Sequence, residues 1–331
     1  MVYFARRIGF FIVTLWAAVT LNFLIPRLIP GDPAEQIVRQ IAGQSSSVDP
    51  AQVRAVQVML GLDTEQTLLQ QYLTYMQNTL RGDFGVSYTY FPYTVTHMIG
   101  ETLPWTLALI GITTVFGFIV GTLLGAYAAW RRNTRFDATV SIGSTFIGTL
   151  PFFWIALALV FIFAIQLRWL PTGGGFSGDV DQGWNWPFIR SVIEHAILPG
   201  SALLILSPIG WIMTMRNNMV QILGDDYTRL ARAKGLPERR IAVWYGARNA
   251  ILPQVTAFAL ALGGLIGGSI FVEQIFDYPG TGRLLFEALG VRDYPLMQTI
   301  FLFTVIGVLI ANLFADILYG ILDPRVRRGS T

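Results

Sequence analysis

Six stretches of this chain, residues 8–26, 102–130, 138–167, 196–215, 249–272 and 294–315, contain no Asp, Glu, Lys or Arg. Each is close to or above the roughly 20 apolar residues that carry a helix across a bilayer. None shows strand-like alternation. Lipid leaves every backbone N–H and C=O to be paired inside its own segment, which a helix does. The runs therefore predict an all-α membrane protein with six transmembrane helices. Composition points the same way, because 13% charged residues is about half of what a soluble chain carries.

The remaining charges orient the spans. If the six runs alternate, 15 of the 23 Lys and Arg residues fall on one side: Arg6, Arg7, Arg131, Arg132, Arg135, seven between Arg216 and Arg248, and Arg325, Arg327 and Arg328. The positive-inside rule then places both termini and the loop 225–253 in the cytoplasm. This basic excess needs no nucleic-acid partner to explain it. Arg6-Arg7 before an apolar run resembles a signal peptide, but the run is long and no small-residue cleavage site follows, so it is read as a retained helix.

Along the chain, residues 1–30 read as the first transmembrane helix and 31–100 as an external helical segment. Residues 101–322 hold the other five helices, and 323–331 form a cytoplasmic tail. In the external segment, Asp49-Pro50 opens a helix carrying Val53, Val56 and Leu60 that stops at Gly61. A second helix after Thr64, with Leu68, Tyr72, Met76 and Leu80 on one face, is amphipathic and lies on a surface. Residues 168–195 form a second external loop. Its Asp179-Val180-Asp181 hints at a calcium loop, but Gly183 and Arg190 stand where ligands should be, and Trp184 and Trp186 suit interfacial anchoring better than stacking on a sugar.

Gly117, Gly121 and Gly125 recur at i+4 in the second run. Gly263/Gly267 and Gly264/Gly268 do so in the fifth. Small residues on one face let helix backbones approach closely in lipid, here within the chain or against a partner subunit. Pro151, Pro199, Pro208 and Pro253 predict bends or helix starts.

Chemistry of the chain's own is missing. There is no cysteine and only two histidines, His97 and His195, which leaves no thiolate site and little for a metal. Lys234 is the only lysine and Gly235 follows it, so no phosphate-binding G-x-x-x-x-G-K-[ST] loop exists. Proton-driven transport leans on carboxylates or histidines within spans. Asp316 is the one clear candidate and is read as paired or interfacial. Glu101, Glu273 and Asp277 lie near external ends. If this chain pumps, its power comes from elsewhere.

Residues 225–253, DDYTRLARAKGLPERRIAVWYGARNAILP, are the feature that such a protein can grip. Gly235-Leu236-Pro237 splits the segment into two short helices. The first puts Tyr227, Leu230 and Ala231 on one side and Arg229, Arg232 and Lys234 on others. Asp226 through Leu236 (DYTRLARAKGL) resembles the EAA motif of ABC-importer permeases, in its dipeptide/oligopeptide branch. Arg229 stands where the general motif has Glu, as in that branch. Further resemblance lies in Pro30-Gly31-Asp32-Pro33, Arg81-Gly82-Asp83-Phe84-Gly85, Leu150-Pro151-Phe152-Phe153-Trp154 and Ile197-Leu198-Pro199. It continues in Phe276-Asp277-Tyr278-Pro279-Gly280, Arg292-Asp293-Tyr294-Pro295 and Leu322-Asp323-Pro324-Arg325-Val326-Arg327.

The resemblance implies a type I ABC importer permease architecture and a non-catalytic subunit. Its partners would be a homologous second permease, two cytoplasmic ATPases that bind ATP and Mg, and an external solute-binding protein. It implies an ATPase-coupling loop of Tyr227, Arg229, Ala231, Arg232, Ala233, Lys234, Gly235, Leu236, Arg239 and Arg240, with Gly235 making the turn. Helices 2 to 5 would line the path, with Asp316 and Glu273 as candidates for substrate contact. Short peptides are the expected cargo. Oligosaccharides such as cellobiose are the alternative, and a self-powered secondary transporter, a channel or a purely structural subunit are the readings of a different class.

Overall fold

The computed structural model describes residues 2–28, 34–35, 38, 50–59 and 67–322. Pro30-Gly31-Asp32-Pro33, Asp49, Gly61, Thr64, the tail 323–331 and the side chains of Arg6, Arg7 and Asp316 lie outside the described residues. The elements are α1 (Val2–Leu28), α2 (Pro50–Met59), α3 (Leu68–Arg81), α4 (Val95–Trp130), α5 (Arg135–Thr149) and α6 (Phe152–Gln166). They continue with α7 (Trp186–Leu223), α8 (Asp226–Ala233), α9 (Glu238–Ala250), α10 (Leu252–Gly263), α11 (Ile270–Ile275), α12 (Thr281–Val291) and α13 (Tyr294–Leu322). Among the described residues no strand forms, and the one isolated β-bridge pairs Val86 with Thr94.

Among the described residues, six continuous spans are not found. Three helices, α4, α7 and α13, are unbroken, apolar and long enough to cross a membrane. The third run breaks into α5 and α6, bent by 91°, and the fifth belongs to α9 and α10, bent by 43°, so the count reaches five only if each pair is one span. The first run is a shorter apolar helix, Gly9–Ile25. The sharp break sits at Leu150-Pro151. Leu150 is extended at φ −74° and ψ 129°, the conformation that a following proline imposes. Pro253 instead sits in the first turn of α10, where its missing N–H costs nothing. Pro199 and Pro208 are accommodated inside α7.

Two other expectations shift. α7 starts at Trp186, inside the segment read as loop 168–195, because Asn185 caps it by accepting the Phe188 N–H at 2.9 Å and a proline follows in the first turn. The charges of Arg190 and Glu194 concealed this start, and they pair across one turn at 2.8 Å. The fifth-run glycines do not form one helical stripe. α10 ends at Gly263, Gly264–Gly267 tighten into a 3-10 turn, and Gly268 takes φ +69°. Four glycines in six residues weaken an α-helix by about 1 kcal/mol each relative to alanine.

The chain divides into two compact units. One comprises Met1–Thr106, Ile266–Ile270 and Pro279–Leu309. Its core joins Val95 and Ile99 of α4 to Leu284, Leu285 and Ala288 of α12 and Leu296, Met297 and Ile300 of α13. Asp293 is buried at the start of α13 and accepts from the Ser87 hydroxyl (2.5 Å), Thr89 N–H (2.9 Å) and Leu296 N–H (3.2 Å). Asn22 and Gln298 clamp α1 to α13 reciprocally, each amide donating to the other's backbone carbonyl at 2.6 and 3.1 Å. Tyr90 donates to Glu287, which Arg283 also engages at 2.9 Å. Burial first and then this carboxylate hold the phenol well above its ordinary range. In this unit Gly267 lies against Thr304, which a Cβ would meet at 3.1 Å.

The other unit, Leu107–Leu265, Phe271–Tyr278 and Ile310–Thr331, holds α5 to α11 and most of α4. Its close approach is between α4 and α7. A Cβ on Gly117, Gly121 or Gly125 would meet Ser207 Oγ at 2.2 Å, Pro208 O at 2.6 Å or Ile212 O at 2.4 Å. One helical face, read out at i+4, thus lies against the backbone of a neighbour in the same chain.

Candidate coupling site

The segment 225–253 folds as a helical hairpin on the end of α7. Thr228 and Ala231 point inward from α8 and are buried, as are Ile241, Ala242, Gly246 and Ala250 of α9. Ala242 and Ala250 pack with Met215, Met219 and Leu223 of α7 and Ala129 of α4. Gly246 is close enough that a Cβ would meet Leu223 Cδ2 at 3.0 Å. The Thr228 hydroxyl lies 2.7 Å from Asp225 O and 2.9 Å from Leu223 O. It ties α8 to the last turn of α7 by covering carbonyls that the helix end leaves open.

Gly235 makes the turn between the two helices. It sits at φ +76°, its N–H donates to Arg232 O at 2.9 Å, and the Leu236 N–H donates to Ala231 O at 3.2 Å. These paired bonds form a Schellman cap, which needs a left-handed residue at this position. Pro237 then precedes α9, and Arg232 crosses the turn to Glu238 at 2.9 Å. Sequence and geometry meet here because glycine takes positive φ without steric cost.

The outer face of the hairpin is open. Tyr227, Arg229, Leu230, Ala233, Lys234, Gly235, Arg239 and Arg240 are exposed, and so are Val243 and Trp244 of α9. Ala231 is buried, so it does not share a face with Tyr227 and Leu230 as the sequence pattern suggested. Leu236 is half-buried. Tyr227 stacks on Tyr245 with centroids 6.4 Å apart, and Arg248 lies 6.0 Å from the Trp244 ring. The result is an apolar and aromatic knob, Tyr227, Leu230, Val243 and Trp244, rimmed by cations and held by a buried inner face.

Sequence reasoning missed the polar contacts behind the hairpin. Arg216 of α7 forms a fork on Asp137 of α5, at 2.5 Å from Nε and 2.9 Å from the second nitrogen, and Asn133 N–H adds a third contact at 3.1 Å. Gln254, two residues into α10, is fully buried. It accepts from Thr122 of α4 at 2.7 Å and donates to Trp211 O of α7 at 2.8 Å. A glutamine inside an uncharged run was the available signal, since polar side chains in spans have to find partners. Burial first, and then the buried carboxylate of Glu273 in α11, push the Tyr278 phenol up to about 12. Among the described residues no group of three or more Asp, Glu or His side chains is arranged to hold a metal.

Comparison with known proteins agrees with this architecture. Residues 121–328 match the family described as binding-protein-dependent transport system inner membrane component. The chain is 35% identical to the oligopeptide transport system permease protein AppB of Bacillus subtilis, over 98% of both chains. It is likewise 35% identical to the di/tripeptide transport system permease protein DppB of Pseudomonas aeruginosa, over 98% of both. Identity to the glutathione transport system permease protein GsiC of Escherichia coli is 34%, again over 98% of both. Among solved structures, an inward-facing form of the MetNI methionine ABC transporter aligns with TM-score 0.53 and 17% identity, over 69% of this chain and 97% of that one. That likeness carries the fold, the type I ABC importer permease architecture. The chain is a multi-pass inner membrane protein and belongs to the family of binding-protein-dependent transport system inner membrane components.

Proposed function

We propose that this chain is the non-catalytic permease subunit of an ATP-driven importer and forms half of a translocation path for short peptides. The observation that carries this reading is similarity over nearly the whole chain to permeases named for oligopeptides, di/tripeptides and glutathione. Those names favour peptides over oligosaccharides such as cellobiose.

In this reading the other half of the path is a homologous permease, and an external binding protein delivers the cargo. Two cytoplasmic ATPases hold the nucleotide and Mg. Both termini and the hairpin of α8 and α9 face the cytoplasm, as the charge distribution requires. The exposed knob of Tyr227, Leu230 and Trp244 seats in a groove on an ATPase, while Arg229, Lys234, Arg239 and Arg240 meet acidic residues at its rim. The buried contacts of Thr228, Ala231 and Gly246 make the hairpin rigid enough to pass a push to α7. Closure of the ATPase dimer would drive the two hairpins together, tip the helices outward, and reset after hydrolysis.

The test is uptake of a radiolabelled tripeptide into proteoliposomes holding the whole complex, with and without ATP and with cellobiose as competitor. ATP-dependent uptake indifferent to cellobiose is expected. Uptake without ATP would sink the importer reading, and competition by cellobiose would move the cargo to saccharides.

A further inference from the structure

The external helix α3 has an apolar stripe that the folded chain does not cover. Leu69, Leu73, Met76 and Leu80 recur at i, i+4, i+7 and i+11, which places them on one side of the helix. Leu69 is 67%, Leu73 58% and Leu80 83% exposed, with Met76 half-buried. The strip flanking it, about 100° further around the helix at 3.6 residues per turn, carries Gln70, Thr74, Gln77 and Arg81, all exposed. A third strip docks the helix on α1. The Tyr72 hydroxyl is 2.8 Å from Thr20 Oγ1, and Tyr75 accepts from Asn22 at 3.3 Å. The Phe23 ring meets both tyrosines at 5.3 and 5.5 Å. The expected face of Leu68, Tyr72, Met76 and Leu80 is therefore not the packing face, since Leu68 and Leu80 are exposed.

The depth of that docking identifies what covers the leucines. Phe23 lies five residues before the end of α1, about 7 Å along the axis at 1.5 Å per residue. Around this level α1 itself exposes Leu21, Ile25 and Leu28 to the surroundings, as a helix does where it faces lipid. An interfacial amphipathic helix buries its apolar face about 5–10 Å into the headgroup and acyl boundary. The helix that carries the leucine stripe is thus docked beside exposed apolar residues of α1, near that helix's C-terminal end. The helix is also defined at both ends without help from a partner. Thr67 and Gln70 form a reciprocal capping box, and Gly82 closes the far end at φ +74°.

We infer that α3 is an interfacial helix, lying in the bilayer surface at the C-terminal end of α1 with Leu69, Leu73, Met76 and Leu80 in the acyl region. Its polar face carries a single cation, Arg81, so apolar burial holds it in place and anionic lipid is not required. Tyr72 and Tyr75 then fix the depth of α1 in the bilayer. This inference needs only that α1 crosses the membrane, and it stands apart from the cargo and from ATP.

The chain has no cysteine, so single spin labels report cleanly. The full chain, assembled with cysteine-free partner subunits in nanodiscs of zwitterionic phospholipid, is labelled at Leu69→Cys, Leu73→Cys or Leu80→Cys. Gln70→Cys and Gln77→Cys label the polar face, and Val13→Cys on exposed α1 gives the lipid reference. Collision with oxygen, which partitions into acyl chains, is compared with collision with a water-soluble nickel chelate. The leucine sites should favour oxygen as the Val13 site does, and the glutamine sites should favour the chelate. Equal chelate access on both faces would overturn the inference by placing the helix in water. Leucine sites shielded from both reagents would overturn it in favour of a protein cover.

Discussion

Gln254 of α10 and Thr122 of α4 meet through a buried 2.7 Å hydrogen bond, and the same glutamine donates to Trp211 O of α7. One side chain therefore joins three helices just beyond the bend where the hairpin of α8 and α9 ends. Phe118, Trp211 and Phe258 pack beside it, with Phe118 and Phe258 stacked at 4.3 Å. The hairpin is thus mechanically continuous with the helices behind it.

Replacing Gln254 with Leu should leave Thr122 without its partner while preserving volume. Such polar contacts within membranes are worth about 0.6 kcal/mol, rarely above 1.7, so the complex should assemble with a slightly lower Tm. Uptake per ATP hydrolysed should fall further than stability does, because α10 can then slip relative to α4 and α7. Measuring both on one preparation checks this. An unchanged uptake-to-hydrolysis ratio would refute the linking role.

Gly121→Ala should destabilise the protein, because the added methyl would sit 2.6 Å from Pro208 O and from Trp211 Cβ. Overpacking of this kind costs about 1–3 kcal/mol. Gly143→Ala on α5 is the control, since nothing lies within 4 Å of its Cβ position. There the gain in helix propensity, about 1 kcal/mol, should leave Tm unchanged or raise it. Thermal unfolding in detergent separates the two.

Asp137→Asn should strand the Arg216 guanidinium, whose side chain is only 21% exposed. Breaking a buried pair on one side costs about 3–5 kcal/mol, and the partial exposure brings the expectation to about 2. Reversing the pair, Asp137→Arg with Arg216→Asp, should recover part of the loss in Tm. No recovery would mean that the Asn133 and Ser141 contacts of Asp137, not the charge pair, hold α5.

At the hairpin, Gly235→Pro removes an N–H that donates to Arg232 O and forbids φ +76°. ATP-dependent uptake should be lost while the complex still assembles. Gly235→Asn, which tolerates left-handed backbone, should retain most of it. Nothing but solvent lies within 4 Å of a Cβ there, so a loss in both variants would point to a requirement beyond the turn.

The sequence by itself determined that the chain lives in a membrane, that it is helical, and where its hairpin turns. Uncharged runs, the Gly235-Leu236-Pro237 break and the Gly117/Gly121/Gly125 stripe are local patterns, and each acts through the physics of one helix or one turn. Tertiary structure decided what depends on neighbours. It set which runs stay straight, since a run of apolar residues looks the same whether it spans directly or folds back at Leu150-Pro151. It decided that Gly263 to Gly268 unwind, because glycine spacing predicts a stripe only if the helix survives its own glycines. It also chose the partners of Asp137, Gln254, Asn22 and Asp293. The pairs Asp137–Arg216, Gln254–Thr122, Asn22–Gln298 and Asp293–Ser87 join residues 79 to 276 positions apart, and no periodicity in a chain encodes which distant polar groups will share a buried bond.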